Sequence, residues 1–182
     1  MNIKKYINTI NKFGFQYFLS LSVNFLLTKI GILDRLELIK FKIRSNAAES
    51  HVAEVLAGEF KGMLLSANTW WGKNDYITKL LGQYEIQVMI ELAKLSKNYE
   101  HFIDIGAGDG YFVVGALKSN LFKTASSFEI EKLGKKIISE NARLNNVEKY
   151  LEIKGKVTKT DLQKIVKEKG GCAILIDIEG SE

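Results

Sequence analysis

Apolar positions along this chain follow one regular rhythm from residue 102 onward and several shorter, unrelated ones before it. Residues 102–105 read as a short buried strand, 125–128 and 150–153 as a second and third strand, and 173–178 as an apolar fourth. Between them, apolar residues recur at three- and four-residue steps, which predicts helices over 111–118, 132–144 and 160–169. Gly170-Gly171 stops the last of these. Strands alternating with helices of these lengths predict an α/β fold whose parallel sheet is wound by right-handed crossovers.

Upstream the signals are mixed. Residues 82–95 fit a helix leading into the core, with Ile86, Met89, Ile90 and Ala93 on one face and a break at 96–98. Residues 46–65 admit two readings: Asn46 with Glu49 makes a capping box, while Gly58 and Gly62 suit a hairpin. At 38–44, Leu38, Phe41 and Ile43 sit against Lys40, Lys42 and Arg44, as in a short strand with one wet face. Nearer the start, Tyr6, Ile10, Phe13, Tyr17, Leu21 and Phe25 give a helical stripe. Residues 13–28 are 16 uncharged positions, fewer than the ~20 apolar residues of a spanning helix. Gln16, Ser20, Ser22, Asn24 and Thr28 interrupt them, and no small-residue cleavage site follows. Residues 1–33 are therefore expected to pack on the domain or a second copy or to lie on a membrane surface, with a true span as the remaining alternative.

Charge sharpens that division. Residues 1–50 carry eight basic side chains against Asp34, Glu37 and Glu49, whereas the remaining 132 residues carry eighteen of each sign. The net charge of +5 thus belongs to the N-terminal segment. No basic face is expected around the C-terminal site, which argues against a nucleic-acid partner. An apolar share of 46% supports a real core. The single cysteine, Cys172, excludes an intramolecular disulfide and fits a reducing compartment. A cytoplasmic protein is expected, with membrane association as the alternative. The expected boundary separates a basic extension, residues 1–57, from a second domain, residues 58–182.

The chemistry concentrates where strands end. In Asp104-Ile105-Gly106-Ala107-Gly108-Asp109-Gly110 an acid closes the first strand and three glycines alternate into the next helix. Glycine serves where backbone bends sharply and must approach a ligand without a Cβ between them. A dinucleotide site would place its third glycine where Tyr111 stands. A pyrophosphate is also poorly matched to Asp104 and Asp109. A cationic ligand with an amino-acid tail, such as S-adenosylmethionine, matches those carboxylates better. Glu129 ends the second strand 19 residues after Gly110, where a carboxylate accepts hydrogen bonds from both ribose hydroxyls. Its other reading is an acid favoured at a helix start. Ile176-Asp177-Ile178-Glu179 ends the fourth strand, beyond which ligands gather in open parallel sheets. The expected donor-binding residues are Asp104, Gly106, Ala107, Gly108, Gly110, Glu129 and Ile130. Asp177 and Glu179 are the candidate proton acceptors, and no metal is expected. Neither His51 nor His101, which precedes the first strand, is a persuasive base.

Residues 104–111, Phe128-Glu129, Asn141 with Asn145, and Asp177-Ile178-Glu179-Gly180-Ser181-Glu182 together resemble the FkbM family of methyltransferases. Gly62-Met63 and Leu81-Gly82-Gln83-Tyr84-Glu85 resemble the lead-in of many members. The similarity covers residues 58–182. It implies a Rossmann-like methyltransferase sheet, S-adenosylmethionine as donor, and methyl transfer to a hydroxyl oxygen of a sugar, polyketide or other small molecule. It also implies a seven-stranded sheet, of which four strands are counted, so the chain is expected to be a fragment, the alternative being a partner that supplies the remaining strands. The rival readings are a non-catalytic membrane-associated or oligomerising module and an NAD-dependent oxidoreductase.

Overall fold

A computed structural model describes residues 52–68 and 75–178. The helix and strand expected within residues 1–44, the Asn46/Glu49 capping box, His51 and Glu179 lie outside the described residues. The chain divides into two compact units, 1–45 and 46–182. The second of these units begins its described part with a strand at Val52–Glu54 (β1).

β1 pairs antiparallel with β2, Leu64–Ser66, with Val52 opposite Ser66 and Glu54 opposite Leu64. The hairpin reading of residues 46–65 thus holds. The Val55 and Gly62 backbones close it: the Val55 amide donates to the Met63 carbonyl and the Gly62 amide to the Val55 carbonyl, each at 2.8 Å.

Two helices follow, α1 at Tyr76–Leu80 and α2 at Ile86–Leu95. The single helix expected over 82–95 starts later because Gly82 (φ +65°) and Glu85 (φ +43°) both adopt left-handed backbone. Its buried face is also different: Met89 and Leu92 are inside, while Ile86 and Ile90 are exposed. The reason is tertiary, since Met89 Sδ receives the Tyr111 hydroxyl at 3.7 Å and so turns that side of α2 inward.

The remainder forms β3 (His101–Ile105), α3 (Tyr111–Lys118), β4 (Thr124–Phe128), α4 (Lys132–Leu144), β5 (Leu151–Lys154), α5 (Lys159–Lys169) and β6 (Ala173–Ile176). These strands make a parallel sheet in the order β5-β4-β3-β6. This is the α/β arrangement expected of a Rossmann-like sheet, with small adjustments. Tyr150 belongs to a 3-10 turn rather than to β5, β6 ends at Ile176, and His101 opens β3 instead of preceding it.

Strand alternation sorts the core into two layers. Ile103 and Ile105 of β3 and Phe128 of β4 pack against Ile165 of α5. Asp104 faces the opposite side, where it takes the Val113 amide of α3. Every residue of α3 except Lys118 is buried, as expected for a helix held between a sheet and other elements. Two asparagines tie β2 to this layer. Asn145 Oδ1 accepts from the Leu64 amide at 2.8 Å, and its Nδ2 donates to the Leu64 carbonyl at 2.7 Å. Asn141 Oδ1 accepts from the Ser66 amide at 2.8 Å, while its Nδ2 donates to the Asp109 carbonyl at 2.9 Å. α5 starts with a capping box between Thr158 and Asp161 and ends at Gly170, φ +73°. Among the described residues no helix is long and apolar enough to cross a membrane.

Candidate functional site

The strand order fixes where a ligand fits. From β3 the chain winds outward through β4 and β5, then returns to place β6 on the other side of β3. Loops leaving β3 and β6 therefore diverge at their carboxyl ends and open a crevice between them. A cleft of about 360 Å³ lies there, lined by residues from the β3–α3 turn, the ends of β4 and β6, α1 and the start of α3. That volume falls within the roughly 300–1,000 Å³ typical of small-molecule sites.

The turn is built from positive-φ glycines. Gly106 (φ +83°) lies so close to the end of β6 that a Cβ would sit 1.9 Å from the Asp177 carbonyl oxygen. The same strand ends are joined by the Asp177 amide donating to the Ile105 carbonyl, at 2.9 Å. Gly108 (φ +58°) sends its amide to Glu129 Oε2 at 2.9 Å. Glu129 Oε1 accepts from the Glu131 amide, also at 2.9 Å. The Glu129 carboxylate is thus held by two backbone donors at the end of β4, 6% exposed and on the cleft wall.

The start of α3 offers little to an anion. The Tyr111 amide donates to Asp109 Oδ1 at 3.2 Å, and the Val113 amide donates to Asp104. Two aspartates therefore occupy donors that an N-terminal anion site would need. Asp104 is buried with one oxygen, Oδ2, lacking a hydrogen-bond partner. Burial, then the Asp177 and Asp109 carboxylates, push its carboxyl up to about 8.

Gly106, Ala107, Gly108, Glu129, Ile130 and Asp177 all line the cleft. Two of the expected binding residues do not. Asp104 lies beneath the turn as an acceptor for α3, and Gly110 (φ +81°) caps α3 with a Cβ position 3.1 Å from Ile138. Asp177 is exposed at the cleft edge. His101 is at the opposite end of the sheet, where its ring meets Thr124 Oγ1 at 2.8 Å and Ser126 Oγ at 3.2 Å.

Sequence reasoning missed Lys79, Tyr84, Tyr111, Phe112, Glu131 and Ile178, which also line the cleft, and matched the Asp109 carboxylate to a cationic ligand without its Lys79 partner. Lys79 is 2% exposed, and its ammonium donates to Asp109 Oδ2 at 2.7 Å. Tyr84 and Tyr111 meet edge to face at 5.7 Å, and Phe60 packs on Tyr111 at 5.3 Å. Burial, followed by the Glu85 carboxylate, raises the Tyr84 phenol, so it stays a protonated donor. A signal existed for Tyr84, which sits in the Leu81–Glu85 lead-in, but none for Lys79, whose partner is thirty residues away. Among the described residues no group of three or more His, Cys, Asp or Glu side chains is placed to hold a metal ion.

No family model and no curated protein matches this chain. Solved structures do. An O-methyltransferase from Bacillus cereus, in complex with SAH, is 21% identical over 48% of this chain and 43% of its own, with a TM-score of 0.38. An O-methyltransferase family protein from Burkholderia thailandensis is 12% identical over 47% of this chain and 25% of its own, with a TM-score of 0.36. An RNA methyltransferase from Salinibacter ruber, in complex with S-adenosyl-L-homocysteine, is 17% identical over 52% of this chain and 85% of its own, with a TM-score of 0.35. This chain spans less than half the length of the first two.

Proposed function

We propose that this unit binds S-adenosylmethionine in the cleft at the β3–β6 crossover and serves a methyltransferase acting on a hydroxyl of a small-molecule or glycan acceptor. The Glu129 carboxylate carries the reading. A carboxylate has about four acceptor positions; the Gly108 and Glu131 amides take two of Glu129's. Two remain, the number a ribose diol requires. The backbone donors also fix the carboxylate before any ligand arrives, so little is lost in ordering it.

The other residues fit the same ligand. Gly106 lets the end of β6 close on the turn, and Gly106 and Gly108 both present bare backbone to the cleft. Glu129, Glu131 and Asp177 give the cleft an acidic lining suited to a sulfonium and an ammonium, with Asp109 balanced by Lys79. The amides of Tyr111 and Val113, already satisfied by aspartates, are unavailable to a pyrophosphate, which disfavours the dinucleotide alternative. When bound, the donor supplies an electrophilic methyl group. The chain's contribution is alignment of that methyl with an acceptor oxygen. Asp177, exposed at the cleft edge, is the candidate to take the hydroxyl proton. Membership of the FkbM family and the O-methylation it implies are the finer form of this proposal.

Calorimetry on the full chain with S-adenosylhomocysteine and with NAD tests it. Binding of S-adenosylhomocysteine without NAD is expected. Binding of NAD alone would transfer the site to the oxidoreductase reading, and binding of neither would leave a non-catalytic module.

A further inference from the structure

Asp104 is left incomplete by everything packed around it. Its carboxyl takes the Val113 amide, while Oδ2 has no hydrogen-bond partner among the described residues, in a side chain that is fully enclosed. The charged groups that face it are all acids: Asp177 from the end of β6, Asp109 from the glycine turn and Glu129 from the end of β4. α1 brings one positive charge, Lys79, whose ammonium is already 2.7 Å from Asp109 Oδ2. α3 brings the Tyr111 phenol, kept protonated by burial, and α4 brings the neutral Asn141 amide to the Asp109 carbonyl. A buried carboxyl crowded by carboxylates holds its proton until a positive charge arrives. Gly106, two residues along the chain, and Asp177 both line the cleft, and two residues span at most about 7 Å. A cation in the cleft therefore sits on the order of 10 Å from Asp104, with the glycine turn rather than bulk water between them. At an effective dielectric of about 20, a unit charge at that distance makes deprotonation easier by about tenfold.

We propose that Asp104 exchanges its proton for the donor's positive charge, releasing it when a sulfonium enters the cleft and regaining it once the sulfur is neutral. This rests on the donor reading and adds to it the means by which the site tells donor from demethylated product. In the transfer, the bond from acceptor oxygen to methyl forms as the bond from sulfur to methyl breaks. The sulfur keeps that electron pair, and the hydroxyl proton goes to Asp177. The resulting thioether carries no charge, so Asp104 again faces only acids and takes a proton back from solvent. One proton, the acceptor's, is released per cycle. In acid both ligands meet a protonated Asp104; as pH rises, only the donor gains from the ionised form. The preference for donor over product should therefore grow with pH.

Calorimetry on the full chain and on Asp104→Asn compares S-adenosylmethionine with S-adenosylhomocysteine at pH 6 and pH 9. The asparagine keeps an oxygen for the Val113 amide but cannot ionise. The ligands' own amino groups titrate in this range, identically for both proteins, so comparing the two removes their contribution. Relative to the variant, the affinity ratio of the unaltered chain should move toward the donor by about 10-fold between the two pH values. If the variant does not fold, the unaltered chain decides with 5′-methylthioadenosine and its S-methylated sulfonium, neither of which titrates between pH 6 and 9. At pH 7.5, in phosphate and Tris buffers, the sulfonium should release about half a proton on binding and the thioether almost none.

An affinity ratio that moves equally in the chain and the variant overturns the inference and leaves the donor reading standing. Equal proton release by sulfonium and thioether does the same. Failure of S-adenosylmethionine and S-adenosylhomocysteine to bind at either pH overturns the donor reading and this inference together.

Discussion

Two buried polar residues three positions apart in β3 show how differently the two ends of the sheet are finished. His101, at the amino end, is 2% exposed with both ring nitrogens partnered by hydroxyls, at 2.8 and 3.2 Å. Asp104, near the carboxyl end, is equally buried but leaves Oδ2 unpartnered and faces Asp109 and Asp177. Burial drives both toward neutrality in opposite directions: the imidazole falls to about 4 and the carboxyl rises to about 8. Satisfied polar groups at one end belong to the scaffold. An unsatisfied, acid-crowded group at the other marks the end where charge was gathered for another purpose. The glycines repeat the contrast, since Gly106 abuts Asp177 while Gly170, at the amino end, faces open space.

Gly106→Val is the most direct way to break the carboxyl end. Its Cβ would lie 1.9 Å from the Asp177 carbonyl oxygen at a φ of +83°. Neither backbone can yield easily, because the Asp177 amide is bonded to Ile105 and the Gly106 amide to Phe128. The expected loss is about 4 kcal/mol of stability, at the severe end for a single substitution. Urea denaturation measures it, and a midpoint close to that of the unaltered chain would show that the β3–β6 contact is looser than described.

Glu129→Gln should act on binding more than on folding. One of its two backbone partners, Gly108 or Glu131, keeps an oxygen acceptor, while the ligand loses a charged one. S-adenosylhomocysteine affinity should fall by roughly 1.5–3 kcal/mol. At the other end Thr124→Val, which strips His101 of a partner, should lower stability by about 1–2 kcal/mol and leave that affinity unchanged. Calorimetry paired with denaturation on both variants decides. Equal effects of the two changes on binding would erase the functional difference between the ends.

How much of this contrast the chain discloses depends on distance along it. The limits of α3 and α4 match the apolar period and the glycine punctuation, because both signals are local. Glu129 was legible as an acid ending a strand, but its two amide partners depend on how closely the glycine turn approaches β4. Asn141 and Asn145 stood out only as part of a family pattern; the structure supplies the reason, a clamp on Leu64 and Ser66 across some eighty residues. The inward face of α2 was only partly legible: Met89 was placed on it, but Ile86 and Ile90 are exposed and Leu92 is buried instead, an orientation tied to Tyr111 of α3 through Met89. Lys79 carried no pattern at all, since a buried lysine shows itself only through the carboxylate it meets.

The two neutralised groups also give opposing pH dependences. Asp104, raised from 3.8 to about 8, retains a proton in the folded state that the unfolded chain releases, so stability declines as pH rises across that interval. His101, lowered from 6.5 to about 4, binds its proton less readily when folded, so its contribution is lost as pH falls from 6.5 toward 4. Below pH 6.5 the two slopes oppose each other; above it the Asp104 slope stands alone. Stability should therefore decline by about 2 kcal/mol between pH 6.5 and 8, at 1.36 kcal/mol per unit. Asp104→Asn should flatten that stretch, and urea midpoints at the two pH values report it. A decline of unchanged size in the variant would assign the slope to another group.

Gly170→Ala is the smallest of these changes and the cleanest control. Gly170 shares the left-handed backbone of Gly106, with φ +73°, but a Cβ there meets nothing within 4 Å. The substitution therefore isolates the cost of the backbone conformation from the cost of a collision. That cost is about 1 kcal/mol for an alanine held at positive φ. Because Gly170 closes α5 on the side of the sheet away from the cleft, donor affinity should be unaffected. A loss approaching that of Gly106→Val would mean the turn between α5 and β6 has no room to spare, and that the two ends of the sheet are constrained alike. A loss near 1 kcal/mol with full ligand affinity would instead attribute the remaining ~3 kcal/mol at Gly106 to its contact with Asp177.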